Sequence, residues 1–158
     1  MLEDGSVYEG TARGDFKETA CEIVFNTSMT GYVEILTDPS YAGQGVVMTY
    51  PMIGNYGISR EDFESERLQP SAFIVHELSS DPSNFRCTDT IENLLKEYNI
   101  PCISGVDTRA VVKKLRESGT MRGVLTSDIG DRERLMDVIK SFRQIDLVGS
   151  VTANQTKV

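Results

Sequence analysis

The side chains with the most chemistry to offer are three cysteines and a single histidine: Cys21, Cys87, Cys102 and His76. A thiol–imidazole pair could act as nucleophile and base, and His76 alone could be a general base or a phosphoryl acceptor. Neither arrangement is written locally. His76 ends the strand-like run Phe73-Ile74-Val75-His76, with no nucleophile or phosphate loop beside it. A hydrogen-bonded or half-exposed histidine at a strand end is the simpler expectation. The cysteines lack metal-ligand spacing. Their odd number, with no secretory signal, fits buried thiols in a reducing, cytoplasmic setting better than disulfides. Gly43-Gln44-Gly45 and Gly54-Asn55-Tyr56-Gly57 do not follow a strand and open a helix, as a dinucleotide fingerprint must. No G-x-x-x-x-G-K-[ST] phosphate loop occurs.

One stretch is richer. Phe25-Asn26-Thr27-Ser28-Met29-Thr30-Gly31-Tyr32 runs into Val33-Glu34-Ile35-Leu36-Thr37-Asp38-Pro39-Ser40-Tyr41. Thr27, Ser28 and Thr30 can cap a short helix reaching Leu36, and Asp38-Pro39-Ser40 predicts a rigid turn with aspartate at its first position. Hydroxyls and an amide on a pinned turn suit a docking or ligand-facing surface, although a plain connection between strands accounts for them equally well.

Periodicity supplies the elements that would position these groups. In the first half, strands are expected at Ser6–Thr11 after the Asp4-Gly5 turn, at Ala20–Asn26, at Gly45–Tyr50 and at Ala72–His76. The Gly45–Tyr50 run is continuous and apolar, which predicts a buried central strand ended by Pro51. The second half changes period. A helix capped near Thr90 carries Ile91, Leu94, Leu95 and Tyr98. A short strand follows at Cys102–Ser104. Asp107 caps a helix with Val111, Val112 and Leu115 inward and Lys113, Lys114 and Arg116 outward, stopped by Gly119. After a strand at Gly123–Thr126, Asp131 caps a third helix bearing Leu135, Val138, Ile139 and Phe142. This order predicts a layered α/β fold, its mixed sheets covered on one side by about three helices. Residues 1–149 form the expected domain, and the polar tail 150–158 reads as the start of a linker.

Composition bounds the partners. The 158 residues carry 24 acidic and 16 basic side chains, net -8, which disfavours nucleic acid and anionic membranes. No apolar run is long enough for a membrane span, and the acidic opening residues do not form a signal peptide. The excess is lopsided: residues 1–79 hold 13 acids against 4 bases, and 80–158 hold 11 against 12. It peaks at Ser59–Glu66, where a solvated loop or helix start is expected.

The string FNTSMTGYVEILTDPSYAGQ, followed by TYPMIGNYG, resembles the amino-terminal domain of the small subunit of glutamine-hydrolysing carbamoyl-phosphate synthases. Further blocks agree in order: L-E-D-G-S at 2–6, P-S-N-F-R at 82–86, G-V-D-T-R at 105–109 and K-K-L-R-E-x-G at 113–119. The resemblance implies a β/β/α swivelling-type domain and a divided enzyme. In that family the small subunit releases ammonia from glutamine, and a large synthetase subunit uses ATP and bicarbonate to make carbamoyl phosphate. It implies a heterodimer feeding arginine or pyrimidine synthesis, with no cofactor in this domain and ATP and metal ions on the large subunit. The hydrolytic Cys-His-Glu set would lie in a carboxy-terminal class I amidotransferase domain. No G-x-C-x-G nucleophile elbow occurs in this chain. The implied role is a non-catalytic scaffold that docks the large subunit and holds the amidotransferase domain, with Ser40 bordering the glutamine pocket. A free-standing binding or regulatory module, or an enzyme acting through His76, are the alternatives. Two departures stand out: Cys21 where the family usually has glycine, and Gly45 where an apolar residue is common. Taken alone, Gly45 should weaken its strand by roughly 0.5–1 kcal/mol.

Overall fold

The computed structural model describes residues 1–83 and 87–143. The expected tail at 150–158, the boundary at 149, and Asn84, Phe85 and Arg86 of the 82–86 block lie outside the described residues.

Four parallel strands form the centre: β2 (Thr19–Asn26), β3 (Gln44–Met48), β5 (Ala72–Ile74) and β7 (Cys102–Ser104). Two antiparallel edges complete a six-stranded mixed sheet. β1 (Thr11–Arg13) flanks β7, and β8 (Met121–Leu125) flanks β2, giving the order β1-β7-β5-β3-β2-β8. A small parallel pair, β4 (Met52–Ile53) and β6 (Glu77–Leu78), sits apart. As the apolar run predicts, β3 is central, with Val46, Val47 and Met48 fully buried.

The pleat sorts side chains onto two faces. Val46, Met48, Phe73 and Cys102 pack under helix α1 (Tyr32–Thr37) and helix α2 (Ile91–Glu97). Val47, Ala72, Ile74 and Ile23 face helix α3 (Thr108–Ser118) through Val111, Val112 and Leu115. Helix α4 (Arg132–Ser141) closes the β8 edge, setting Leu135 and Ile139 against Val124. The architecture is therefore mixed α/β, but with helices on both faces rather than one. The reason is that β3 and β5 are apolar on both sides of the pleat, so each side needs a cover.

Three caps follow the sequence: Thr90, Asp107 and Asp131 each accept a hydrogen bond from the backbone N–H three residues on, at 2.9–3.2 Å. Two local expectations fail. Ser6–Gly10 forms no ladder; pairing begins only at Thr11, opposite Ser104. Gly10 approaches β7 so closely that a Cβ there would overlap the Ser104 carbonyl oxygen. Helix α1 is not capped by Thr27, Ser28 or Thr30. Its N-cap is Gly31 at φ 78°, a left-handed backbone that glycine adopts without strain, and no side chain caps it.

The amino-terminal segment and α4 are tied down by ion pairs. Lys114 Nζ lies 2.9 Å from Asp4, and Arg134 forks onto both oxygens of Glu18 at 2.7 and 2.9 Å. The backbone N–H of Ser6, with Lys114, holds the Asp4 carboxyl down to about 2. Arg134, with the Thr126 hydroxyl, does the same for Glu18. Both carboxyls titrate lower when folded than when unfolded. Their stabilisation is therefore complete above about pH 5 and is lost as the pH falls towards about 2. Water screening keeps each contribution modest. Urea midpoints should drop over that interval, and the D4N/E18Q pair should flatten the drop; an unchanged slope would remove these two pairs from the account.

Candidate functional site

The segment singled out in sequence is built as a clasp. The two strings FNTSMTGY and TYPMIGNYG, well separated along the chain, meet at their tyrosines. The rings of Tyr32 and Tyr56 stack with centroids 4.5 Å apart and planes 24° off parallel. The Tyr32 hydroxyl donates to the Gly57 carbonyl at 2.7 Å, and the Gly31 N–H donates to the Tyr56 hydroxyl at 2.7 Å. Burial pushes the Tyr32 phenol well above its ordinary range, so this clasp carries no charge.

The Asp38–Tyr41 turn follows α1, the helix that begins at Tyr32 of the clasp. Residues Pro39–Tyr41 form a single 3-10 turn, and the Asp38 carboxylate accepts from the Ser40 N–H at 2.8 Å. This is the turn that Asp38-Pro39-Ser40 predicts. Asn26 Nδ2 donates to the Tyr41 hydroxyl at 2.9 Å, joining the turn to the end of β2. Between them, fully buried Thr37 accepts from the Glu64 N–H at 2.9 Å while its own hydroxyl donates back to the Val33 carbonyl at 2.9 Å. Ser40 itself is exposed. Its N–H is held by Asp38 and the flanking Tyr41 and Ala42 N–H groups close the turn around it, so an exposed hydroxyl on this residue can donate to or accept from a bound group.

The acidic run that follows is a loop, as expected, with a 3-10 turn at Arg60–Asp62. Arg60 forks onto Glu97 at 2.8 and 3.0 Å and lies over the Phe63 ring.

The alternative chemistry does not assemble. The thiols of Cys21 and Cys102 are buried, and desolvation raises both to about 12, so neither is a thiolate at neutral pH. Cys87 donates its S–H to the Asp89 carbonyl at 3.1 Å. The expected strand Ala72–His76 ends at Ile74, and His76 lies exposed in the bend before β6, its Nδ1 3.0 Å from the Val106 carbonyl oxygen, hydrogen-bonded as anticipated. Among the described residues, no group of three or more His, Cys, Asp or Glu side chains could hold a metal ion. No described helix is long and apolar enough to cross a membrane.

Residues 1–125 match the family described as "Carbamoyl-phosphate synthase small chain, CPSase domain". The chain belongs to this family. It is 48% identical over 155 residues to the carbamoyl phosphate synthase small chain of Clostridium perfringens, covering 98% of this chain and 44% of that one. It is 49% identical over 161 residues to the small chain of Archaeoglobus fulgidus, again 44% of the relative's length. With that of Caldanaerobacter subterraneus identity rises to 55% over 125 residues, 79% of this chain and 35% of the relative. The chain thus spans less than half the length of these relatives.

Within the family match, Ser40 is the one residue that sequence singled out for substrate, and the structure places it exposed on a fixed turn. Sequence reasoning missed Thr37 and the tyrosine pair. The Gly-Tyr of 31–32 and the Tyr-Gly of 56–57 are a signal for the pair in hindsight, but nothing local shows that they face each other. The two departures from the family pattern also prove to be one feature. A Cβ on Gly45 would lie 2.7 Å from Cys21 Sγ, so the thiol occupies the space a larger residue at 45 would need. Gly45 is buried and the space beside it is filled rather than empty, while the backbone-entropy cost of a glycine in a strand stands as expected.

Proposed function

We propose that this chain serves as the scaffold domain of a glutamine-hydrolysing carbamoyl-phosphate synthase small subunit, non-catalytic by itself and operating in the cytoplasm. It docks a large synthetase subunit, supports an amidotransferase domain, and presents Ser40 to the edge of that domain's glutamine pocket. ATP and metal ions belong, on this reading, to the large subunit. The observation that supports it most directly is the Asp38–Tyr41 turn: the Ser40, Tyr41 and Ala42 N–H groups donate to the Asp38 carboxylate and the Asp38 and Pro39 carbonyls, Asn26 holds the Tyr41 hydroxyl, and Ser40 stays exposed. A preorganised hydroxyl of this kind binds a carboxylate or amide without first being ordered. The buried, fully protonated thiols of Cys21 and Cys102 support the non-catalytic role.

The chain alone should release no ammonia from glutamine. In the full-length small subunit paired with its large subunit, Ser40→Ala should raise KM for glutamine about tenfold with kcat nearly unchanged, the loss of one hydrogen bond to a charged group. Ammonia release by the chain that disappears on a Cys→Ala change would refute the scaffold role. An unaltered KM in the Ser40→Ala enzyme would leave the turn purely structural.

A further inference from the structure

Several basic side chains in this acidic protein are paired with carboxylates within the fold. Arg60, Lys96, Lys114, Arg122 and Arg134 each lie within 2.7–3.4 Å of a carboxylate. Helix α3 breaks that pattern on one face. Arg109, Lys113 and Arg116, spaced four and three residues apart, are exposed on adjoining turns. Together with Thr27 and Thr49 they line a cleft of about 530 Å³, where Glu117 is the single acid. Thr27 and Thr49 directly follow β2 and β3, so the cleft opens at the carboxyl ends of the parallel strands, the edge where α/β sheets commonly receive partners and ligands. The Arg116 guanidinium lies 5.6 Å from the Phe25 ring centroid, which steadies it. Three like charges on one helical face repel one another, and an external anion would relieve that repulsion.

We propose that the Arg109–Lys113–Arg116 face is a docking surface for a carboxylate-bearing protein surface, the large synthetase subunit being the partner. This rests on the scaffold reading above and adds where and by what chemistry the contact is made. Charge complementarity selects the partner class. The cations span only two turns of one helix, about 10 Å, and belong to a chain of net charge -8. A polyanion such as nucleic acid would meet repulsion beyond that patch, whereas a folded partner can place a few carboxylates on it and nothing else. The hydroxyls of Thr27 and Thr49 supply the donors that complete carboxylate recognition.

The test measures affinity between the full-length small subunit and its large subunit. The charge-reversed pair R109E/K113E is compared with K17E/R132E, which changes net charge equally at exposed sites elsewhere. R109E/K113E should raise Kd at least about tenfold and flatten the weakening seen as ionic strength rises from about 0.05 to 0.5 M, while K17E/R132E stays within about twofold. Circular dichroism and thermal melting, unchanged in both, show that folding is intact. Restoring affinity with acid-to-lysine changes on the large subunit would confirm the complementarity. Equal effects from the two variants, or no effect from either, would overturn the proposal and leave the scaffold reading standing. Wild-type subunits that fail to associate would instead overturn the scaffold reading itself. A concentration-dependent self-association lost in R109E/K113E, with large-subunit affinity unchanged, would assign the face to a second copy and also overturn the proposal.

Discussion

Replacing Gly45 by valine should destabilise the domain by about 1–3 kcal/mol, and adding Cys21→Gly to the same chain should recover much of that loss. The two positions sit on neighbouring parallel strands, β2 and β3, with their side-chain directions on the α3 face of the sheet. A Cβ at 45 would come 2.7 Å from Cys21 Sγ and 2.8 Å from Ile23 Cδ1, closer than real carbons approach such neighbours. The end of the isoleucine can rotate away, whereas the thiol sits one carbon from the backbone and is fully buried. Cys21→Gly alone removes that sulfur, leaves a small void beside Gly45 and loosens the backbone, so it too should be destabilising. Because burial keeps the thiol protonated, its removal changes no charge at neutral pH. Urea denaturation of the wild type, both single variants and the double variant closes the cycle. A favourable coupling of about 1 kcal/mol or more is expected; additive losses would show that the two residues do not share one volume.

Thr37→Val should also destabilise the domain, by a different route. Valine keeps the shape and removes the hydroxyl, leaving the Glu64 N–H without the acceptor it has at 2.9 Å. Glu64 is exposed and the bond only part-buried, so losing the acceptor costs about 1 kcal/mol, the low end of the cost of an orphaned donor. The same residue closes the end of α1. Its carbonyl accepts from the Ser65 hydroxyl, while the Leu36 carbonyl accepts from the Gln69 N–H at 2.9 Å. These bonds satisfy carbonyls that a helix end leaves open. Thr37 also directly precedes the Asp38–Tyr41 turn, so its loss should be felt at Ser40. In the full-length enzyme, T37V should raise KM for glutamine as well as lowering the urea midpoint, and Thr37→Ser should largely rescue both. A T37V protein as stable as wild type would mean that the Glu64 N–H finds water instead.

These two cases mark what could be read from the sequence. The strands at 19–26, 44–48 and 102–104 follow from apolar, β-branched runs with their own punctuation, and helices α2, α3 and α4 from caps three residues before the N–H they satisfy. The Asp38-Pro39-Ser40 turn is likewise local, since its carboxylate binds an N–H two residues away. Family membership was legible because several blocks stand in the right order over most of the chain.

Sequence alone thus determined the α/β class, most elements, the family and the Asp38–Tyr41 turn, because each rests on residues within a few positions of one another. Only the tertiary structure decided which face each helix covers and that Gly45 answers Cys21. It also brought Tyr32 to Tyr56, joined Thr37 to the Glu64 N–H, and left Arg109, Lys113 and Arg116 exposed on α3 while Lys114 found Asp4. Those features depend on partners tens of residues away. Strand pairing and packing bring such partners together, and no local periodicity encodes which distant surface a side chain will meet.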